Sequence, residues 1–212
     1  MTPAPAQSVV PLSLVRRILR VRERFSMQPE HVDEVFDDFF VLWRAFESTI
    51  DGTDRRAARA EDAVVETVAY ARRSAQARGK HFGAVAPRII ALCRELRLFQ
   101  RAHDGQLALW FSEEEITTVQ GQEIRTRLAR LTSAAQTPDR WHDRDSRDAG
   151  WTLYRLRCAV FHASVETSDS LALRIAPLVC AALIELGALR AAFLSRGELS
   201  EAWQLVGGPD DL

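Results

Sequence analysis

The chain has 212 residues, of which 47% are apolar and 27% are charged, and its formal net charge is −1. This size and balance allow a substantial core in one large domain or two small ones, and they exclude a global basic field for nucleic acid. Three widely spaced cysteines, Cys93, Cys158 and Cys180, form no C-x-x-C pair, which favours buried thiols in a reducing compartment.

The sequence predicts an N-terminal arm or helix over residues 1–28, one helical domain over residues 29–200 and a polar tail over residues 201–212. In the arm, apolar side chains recur at helical spacing, and arginines occupy the other faces. The next helix can begin at Pro29, and it carries an apolar stripe at spacings of three and four until the turn cluster "TIDGTD". The members of that stripe are Val32, Val35, Phe36, Phe39, Phe40, Trp43 and Phe46.

Two more helices are predicted before the middle of the chain. The first covers residues 54–78 and ends at "RGKHFG", and the second starts at Pro87 and covers residues 88–102. The predicted inward positions of the first helix are Ala63, Val64, Thr67, Val68 and Ala71; those of the second are Ile89, Leu92, Cys93, Leu96 and Phe99.

The second half of the chain continues the helical pattern. Ser112 and Glu115 form a capping box for a helix that reaches about residue 135, and the segment "TPDRWHDRDSRD" then reads as a charged connection. A sixth helix is predicted over residues 150–163. A long apolar helix, in which Pro177 favours a kink, follows to residue 194. The predicted fold class is therefore all-α, a helical bundle.

Several common sites are excluded by their missing motifs. The sequence has no G-x-x-x-x-G-K-[ST], no H-E-x-x-H and no G-x-S-x-G, and its five histidines show no metal-ligand spacing. "HDRD" at residues 142–145 favours a solvated charged loop over a set of metal ligands. We therefore expect neither a cofactor nor a metal.

The sequence also favours a cytoplasmic location. The N-terminus does not have the pattern of a secretory signal. The longest apolar stretch, residues 176–194, contains Glu185 and Arg190, which argues against a membrane span.

The stretch "RLRCAVFHA", residues 155–163, places two arginines and a histidine in a segment that otherwise looks like core. A guanidinium can bind a phosphate bidentately, and an imidazole can transfer a proton near neutral pH. Together, Arg157 and His162 suit metal-free cleavage of a phosphodiester by the RNA 2′-hydroxyl, provided that the helix ends or bends before His162. The alternative is structural, with an arginine paired to an acidic side chain and a histidine satisfied at a helix end.

"LYRLRCAVFHA" resembles the signature of HEPN domains, in which four to six residues separate an arginine from a histidine. Arg157 and His162 match with four residues between them, and Arg155 and His162 match with six. "FFVLWRAFESTI", residues 39–50, resembles an earlier helix of the family, where Glu47 takes the place of a polar residue. Two positions depart from the pattern: Cys158 stands where Asn, Asp or His usually follows the arginine. Ser164 stands where one toxin subgroup has a modified tyrosine.

The resemblance implies a four- or five-helix core that pairs as a homodimer, with the two Arg–His sets meeting in a cleft at the interface. It implies a metal-independent endoribonuclease of a bacterial defence or toxin–antitoxin module that leaves 2′,3′-cyclic phosphate and 5′-hydroxyl ends. Arg157 would bind the scissile phosphate, His162 would act as general acid or base, and Glu47 would orient Arg157. Arg155 would contact RNA elsewhere, and an antitoxin or regulatory protein is a further expected partner.

Two alternatives stay open on the sequence. One is a non-catalytic module of the same kind that binds a partner protein or a nucleotide, as Cys158 suggests. The other is a helical regulator that binds DNA, although no basic helix-turn-helix face is evident.

Overall fold

All the regular secondary structure in the described part of the chain is helical. The computed structural model describes residues 32–50, 56–102, 119–161 and 170–195, and within these ranges it contains no strand, which confirms the all-α class. The helices are α1 (Val32–Glu47), α2 (Arg56–Ala77), α3 (Phe82–Val85), α4 (Pro87–Ala102), α5 (Val119–Ala134), α6 (Asp143–Phe161) and α7 (Ser170–Ser195), with a 3₁₀ turn at Pro138–Arg140.

Several predictions fall on residues outside these ranges. They are the N-terminal arm over residues 1–28, the capping box at Ser112 and Glu115, His162, Ser164 and the tail over residues 201–212. Each stays a prediction.

The apolar stripes of α2 and α4 are buried, as their periodicity predicts, at every position whose side chain the structure describes, a set that does not include Phe99. All five inward positions predicted for α2 are buried, including Thr67, whose hydroxyl donates to the Ala63 carbonyl at 2.6 Å. On α4, Ile89, Leu92 and Leu96 are almost completely buried. Residues three and four apart share one face of a helix, so the pattern locates the core side of each helix correctly.

One hydrophobic core joins the six longer helices. α2 and α6 make the most extensive contact, α7 packs against α1, α2 and α4, and α5 packs against α4 and α6. At Gly150 on α6, a Cβ atom would lie 2.7 Å from the Val65 Cα of α2. Only glycine permits this close approach, and it sets how α6 lies on the bundle.

The first half of α6 corrects the sequence prediction. The helix begins at Asp143 rather than near residue 150, so most of the predicted charged connection is helical. Asp145 accepts a hydrogen bond from the His142 backbone N–H at 2.7 Å, which caps the helix start, and Asp143 pairs with Arg72 of α2. These contacts offset the weak helix-forming tendency of an Asp-rich segment.

The apolar helix α7 continues through Pro177. Its segment Pro177–Leu194 is long and apolar enough to cross a membrane by length and composition alone, and 72% of that segment is buried inside the bundle. A mostly buried core helix can meet the same criteria of length and apolar composition. The two ionisable residues of the segment Pro177–Leu194, Glu185 and Arg190, are both buried and both hydrogen-bonded.

Candidate functional site

The predicted arginine and acid of the site lie in contact. Arg157, near the end of α6, donates from Nη2 to Oε1 of Glu47 at 3.2 Å. Its guanidinium also lies over the indole of Trp43, 4.6 Å from the ring centroid. Trp43 and Glu47 are four residues apart on α1, so the last turn of one helix supplies both the platform and the carboxylate. We call these three residues the Arg157 cluster.

Exposure differs sharply across the ion pair. The Arg157 side chain is 11% exposed, whereas that of Glu47 is 42% exposed. The guanidinium is therefore largely buried against an aromatic ring, and the more solvated member of the ion pair is the Glu47 carboxylate.

Tyr154 and Cys158 border the Arg157 cluster. The Tyr154 ring lies 6.1 Å from that of Trp43, and the Cys158 Sγ is 3.9 Å from Nη1 of Arg157. Burial is the main cause that raises the pKa of Tyr154 to about 12, with the neighbouring Cys158 second, while Arg157 opposes the shift. Tyr154 is therefore a neutral hydrogen-bonding wall and not a base at neutral pH.

Arg155 lies in a different neighbourhood. Two positions along a helix differ by about 200° in direction, which separates Arg155 from Arg157. The Arg155 guanidinium lies 5.5 Å from the centroid of the Trp151 ring, and Arg127 of α5 lies 4.6 Å from the same ring. The structure thus brings Glu47 together with Arg157 and not with Arg155.

The surroundings of Arg155 contain a buried acid that serves two other arginines. Asp148 is 4% exposed and accepts from Nε of Arg130 at 2.8 Å, and its other oxygen lies 3.5 Å from Nε of Arg127. We call Arg127, Arg130, Asp148, Trp151 and Arg155 the Asp148 cluster. It ties α5 to α6.

The predicted proton-transfer residue lies just beyond the described helix. α6 is described to Phe161, and His162 is the next residue in the chain. The alignment of Arg157 with His162 therefore stays a prediction.

Sequence reasoning assigned Trp43 only to the apolar stripe and missed its contact with Arg157. The one available signal was the four-residue spacing of Trp43 and Glu47. The contact partner is more than a hundred residues away, where periodicity carries no information.

The charges of α7 also have roles that the sequence did not indicate. Glu185 accepts from the backbone N–H groups of Arg88 at 3.2 Å and Ile89 at 2.8 Å, which caps the start of α4. Burial raises the pKa of its carboxyl to about 8. Arg190 donates from Nε to the Thr49 hydroxyl at 3.2 Å, and burial lowers its pKa.

Among the described residues, no group of three or more His, Cys, Asp or Glu side chains is arranged to hold a metal ion. The acids of "HDRD" cap and anchor the start of α6, as described above. This assigns that motif a structural role in place of the predicted solvated loop.

Comparison with known proteins identifies no relative of this chain. No family model, no curated protein and no solved structure matches it.

Proposed function

We propose that the protein is a metal-independent endoribonuclease of HEPN type. The observation that supports this proposal is the ion pair between Arg157 and Glu47, because it links the two segments that carry the resemblance. The pair lies at the end of α6 that leads directly into His162.

In the proposed reaction, the Arg157 guanidinium binds the scissile phosphate and stabilises the charge that develops on its oxygens. His162 takes the proton of the 2′-hydroxyl or gives one to the leaving 5′-oxygen. The 2′-oxygen attacks the phosphorus, the bond to the 5′-oxygen breaks, and the products are a 2′,3′-cyclic phosphate and a 5′-hydroxyl.

Glu47 and Trp43 are the positioning residues in this proposal. Glu47 engages Nη2 of Arg157, and Trp43 supports the face of the guanidinium, so the guanidinium keeps one orientation. A fixed fork loses less conformational entropy when it binds a phosphate.

The setting that we propose is a homodimer in the bacterial cytoplasm, within a defence or toxin–antitoxin module. Two Arg–His sets from two copies would face one RNA strand, and an antitoxin or regulatory protein would restrain them. Arg155 would contribute an RNA contact away from the scissile phosphate.

The test is an RNA cleavage assay in EDTA with wild type, His162→Ala and the matched control His142→Ala, which removes an exposed imidazole at the other end of α6. We expect a cleavage rate at least about 100-fold lower for His162→Ala. We expect an unchanged rate for the control, and cyclic phosphate ends on the wild-type products. Equal cleavage by all three proteins, or none by a folded wild type, would refute the proposal.

A second candidate function is a non-catalytic module that binds a partner protein or a nucleotide. The burial of Arg157, 11% exposed and engaged by Trp43 and Glu47 of its own chain, favours this alternative. In that case Arg157→Ala would lower thermal stability while wild type shows no cleavage at any protein concentration.

A further inference from the structure

A cavity lies at the other end of α6, about 21 Å along the helix axis from Arg157. Its volume is about 340 Å³, and it lies between the turn that follows α2 and the 3₁₀ turn before α6. This volume is at the lower end of the range of small-molecule sites, which is about 300–1,000 Å³.

The backbone places the chain's only lysine at this cavity. The turn that follows α2 contains Gly79, whose φ of 64° is in the left-handed region that glycine adopts most readily. The Lys80 N–H then donates to the Ala75 carbonyl at 2.9 Å, which fixes the turn, and Lys80 and His81 line the cavity.

The charge of the lining is positive. Arg72, Lys80 and Arg140 face one carboxylate, Asp139, so the permanent charges of the lining sum to +2. His81 lies 3.7 Å from Asp139, and both side chains are 64% exposed, so the acid is engaged at the solvated rim.

Two of these cations are available to a ligand. Arg72 is already held by Asp143 and by Gln76, at 3.0 Å from the latter. Lys80 and Arg140 are exposed and make no ion pair with any residue in the described ranges. Uncompensated cations at a concave surface concentrate an anion there.

The apolar wall of the cavity is rigid. The rings of Phe82 and Trp141 are stacked with centroids 4.8 Å apart, and both side chains are buried. The Trp141 indole N–H donates to the Ala134 carbonyl at 2.9 Å, which fixes that ring. A preformed wall beside free cations suits a ligand that has both an anionic group and a flat or apolar part.

We propose that this cavity binds a small phosphate-bearing molecule, no larger than a mononucleotide. A phosphate monoester carries a charge of about −1.5 to −2 at neutral pH, which suits the two cations, Lys80 and Arg140, that make no ion pair in the described ranges. Lys80 and Arg140 contact the phosphate, and the Phe82–Trp141 wall contacts the rest of the molecule. The site is separate from the Arg157 cluster and does not depend on ribonuclease activity.

The experiment is isothermal titration of the full chain at low ionic strength with AMP, inorganic phosphate and adenosine. We expect saturable binding of AMP, phosphate or both, and none of adenosine, because the phosphate supplies the recognition. Tighter binding of AMP than of phosphate identifies a phosphate ester as the ligand, and equal binding identifies free phosphate. Adenosine binding as tightly as AMP, or no binding of either phosphate compound, overturns the proposal.

Substitutions inside and outside the cavity test whether the phosphate compound binds there. Lys80→Gln combined with Arg140→Gln should weaken binding at least tenfold, and Arg73→Gln, an exposed arginine of α2 that does not line the cavity, should change it less than twofold. All three replaced side chains are exposed, so the variants should melt with wild type. Unchanged affinity in the double variant overturns the assignment.

Discussion

The two arginines of "RLRCAVFHA", Arg155 and Arg157, lie in two clusters that contain similar chemical groups. The clusters differ in how far their acidic residue is exposed to solvent. In both clusters a guanidinium rests on an indole, and an acidic residue pairs with an arginine. In the Asp148 cluster the acid is buried and shared by two arginines, whereas in the Arg157 cluster Glu47 is 42% exposed and pairs with Arg157.

This difference separates a structural network from a candidate site. A buried carboxylate that pairs with two cations stabilises the contact between the helices that carry them. A half-exposed carboxylate beside one guanidinium contributes little stability. Substitutions in the two clusters should therefore affect different properties of the protein.

The largest expected effect on stability is that of Asp148→Ala. This change leaves Arg127 and Arg130 without their shared carboxylate at the contact of α5 with α6, and we expect the free energy of unfolding to fall by about 3 kcal/mol. Urea denaturation measures this loss. A loss below about 1 kcal/mol would show that the Asp148 cluster does not stabilise the fold.

Glu185 extends the comparison to a buried carboxyl hydrogen-bonded to backbone N–H groups. Its pKa is raised from 4.5 to about 8, so the folded state holds this proton while the unfolded state releases it. The stability that Glu185 contributes is therefore present below about pH 4.5 and declines as the pH rises towards 8. We expect Tm of wild type to fall by about 5 °C between pH 6 and pH 9.

Glu185→Gln is the matched variant, because it cannot ionise and keeps an oxygen acceptor for one of the two α4 N–H groups. Its Tm should change much less than that of wild type over the same pH range. If both proteins lose the same number of degrees, Glu185 is not the group responsible.

The smallest expected effect on stability is that of Glu47→Gln. Loss of this half-exposed ion pair should lower the free energy of unfolding by about 0.5 kcal/mol. If Glu47 positions Arg157, kcat for RNA cleavage should fall about tenfold with little change in KM, and Glu47→Asp should restore part of it. A stability loss as large as that of Asp148→Ala would contradict the distinction between the clusters.

The fold was predictable from sequence wherever apolar periodicity decided it. The stripe of α2 is buried at every predicted position because residues such as Val64 and Val68 have no alternative to the core. The start of α6 was not predictable in this way, because Asp143 and Asp148 favour a loop by local propensity. They become helical through ion pairs with distant arginines.

The candidate site was predictable only in part. The resemblance indicated Arg157 and Glu47 as partners, and the structure brings them into contact. Nothing in the spacing showed that Trp43 supports the guanidinium or that Arg155 stacks on Trp151, because such contacts depend on how the helices pack. Periodicity likewise did not indicate the cavity at Lys80, which forms between two turns.

The most direct test of the central claim is the single-turnover rate of RNA cleavage in EDTA for wild type, Arg157→Ala and Arg155→Ala. If the Arg157 cluster binds the scissile phosphate, Arg157→Ala should be at least about 100-fold slower than wild type, and Arg155→Ala should stay within about threefold at saturating RNA. Equal loss in the two variants, or no cleavage by wild type, would contradict the account.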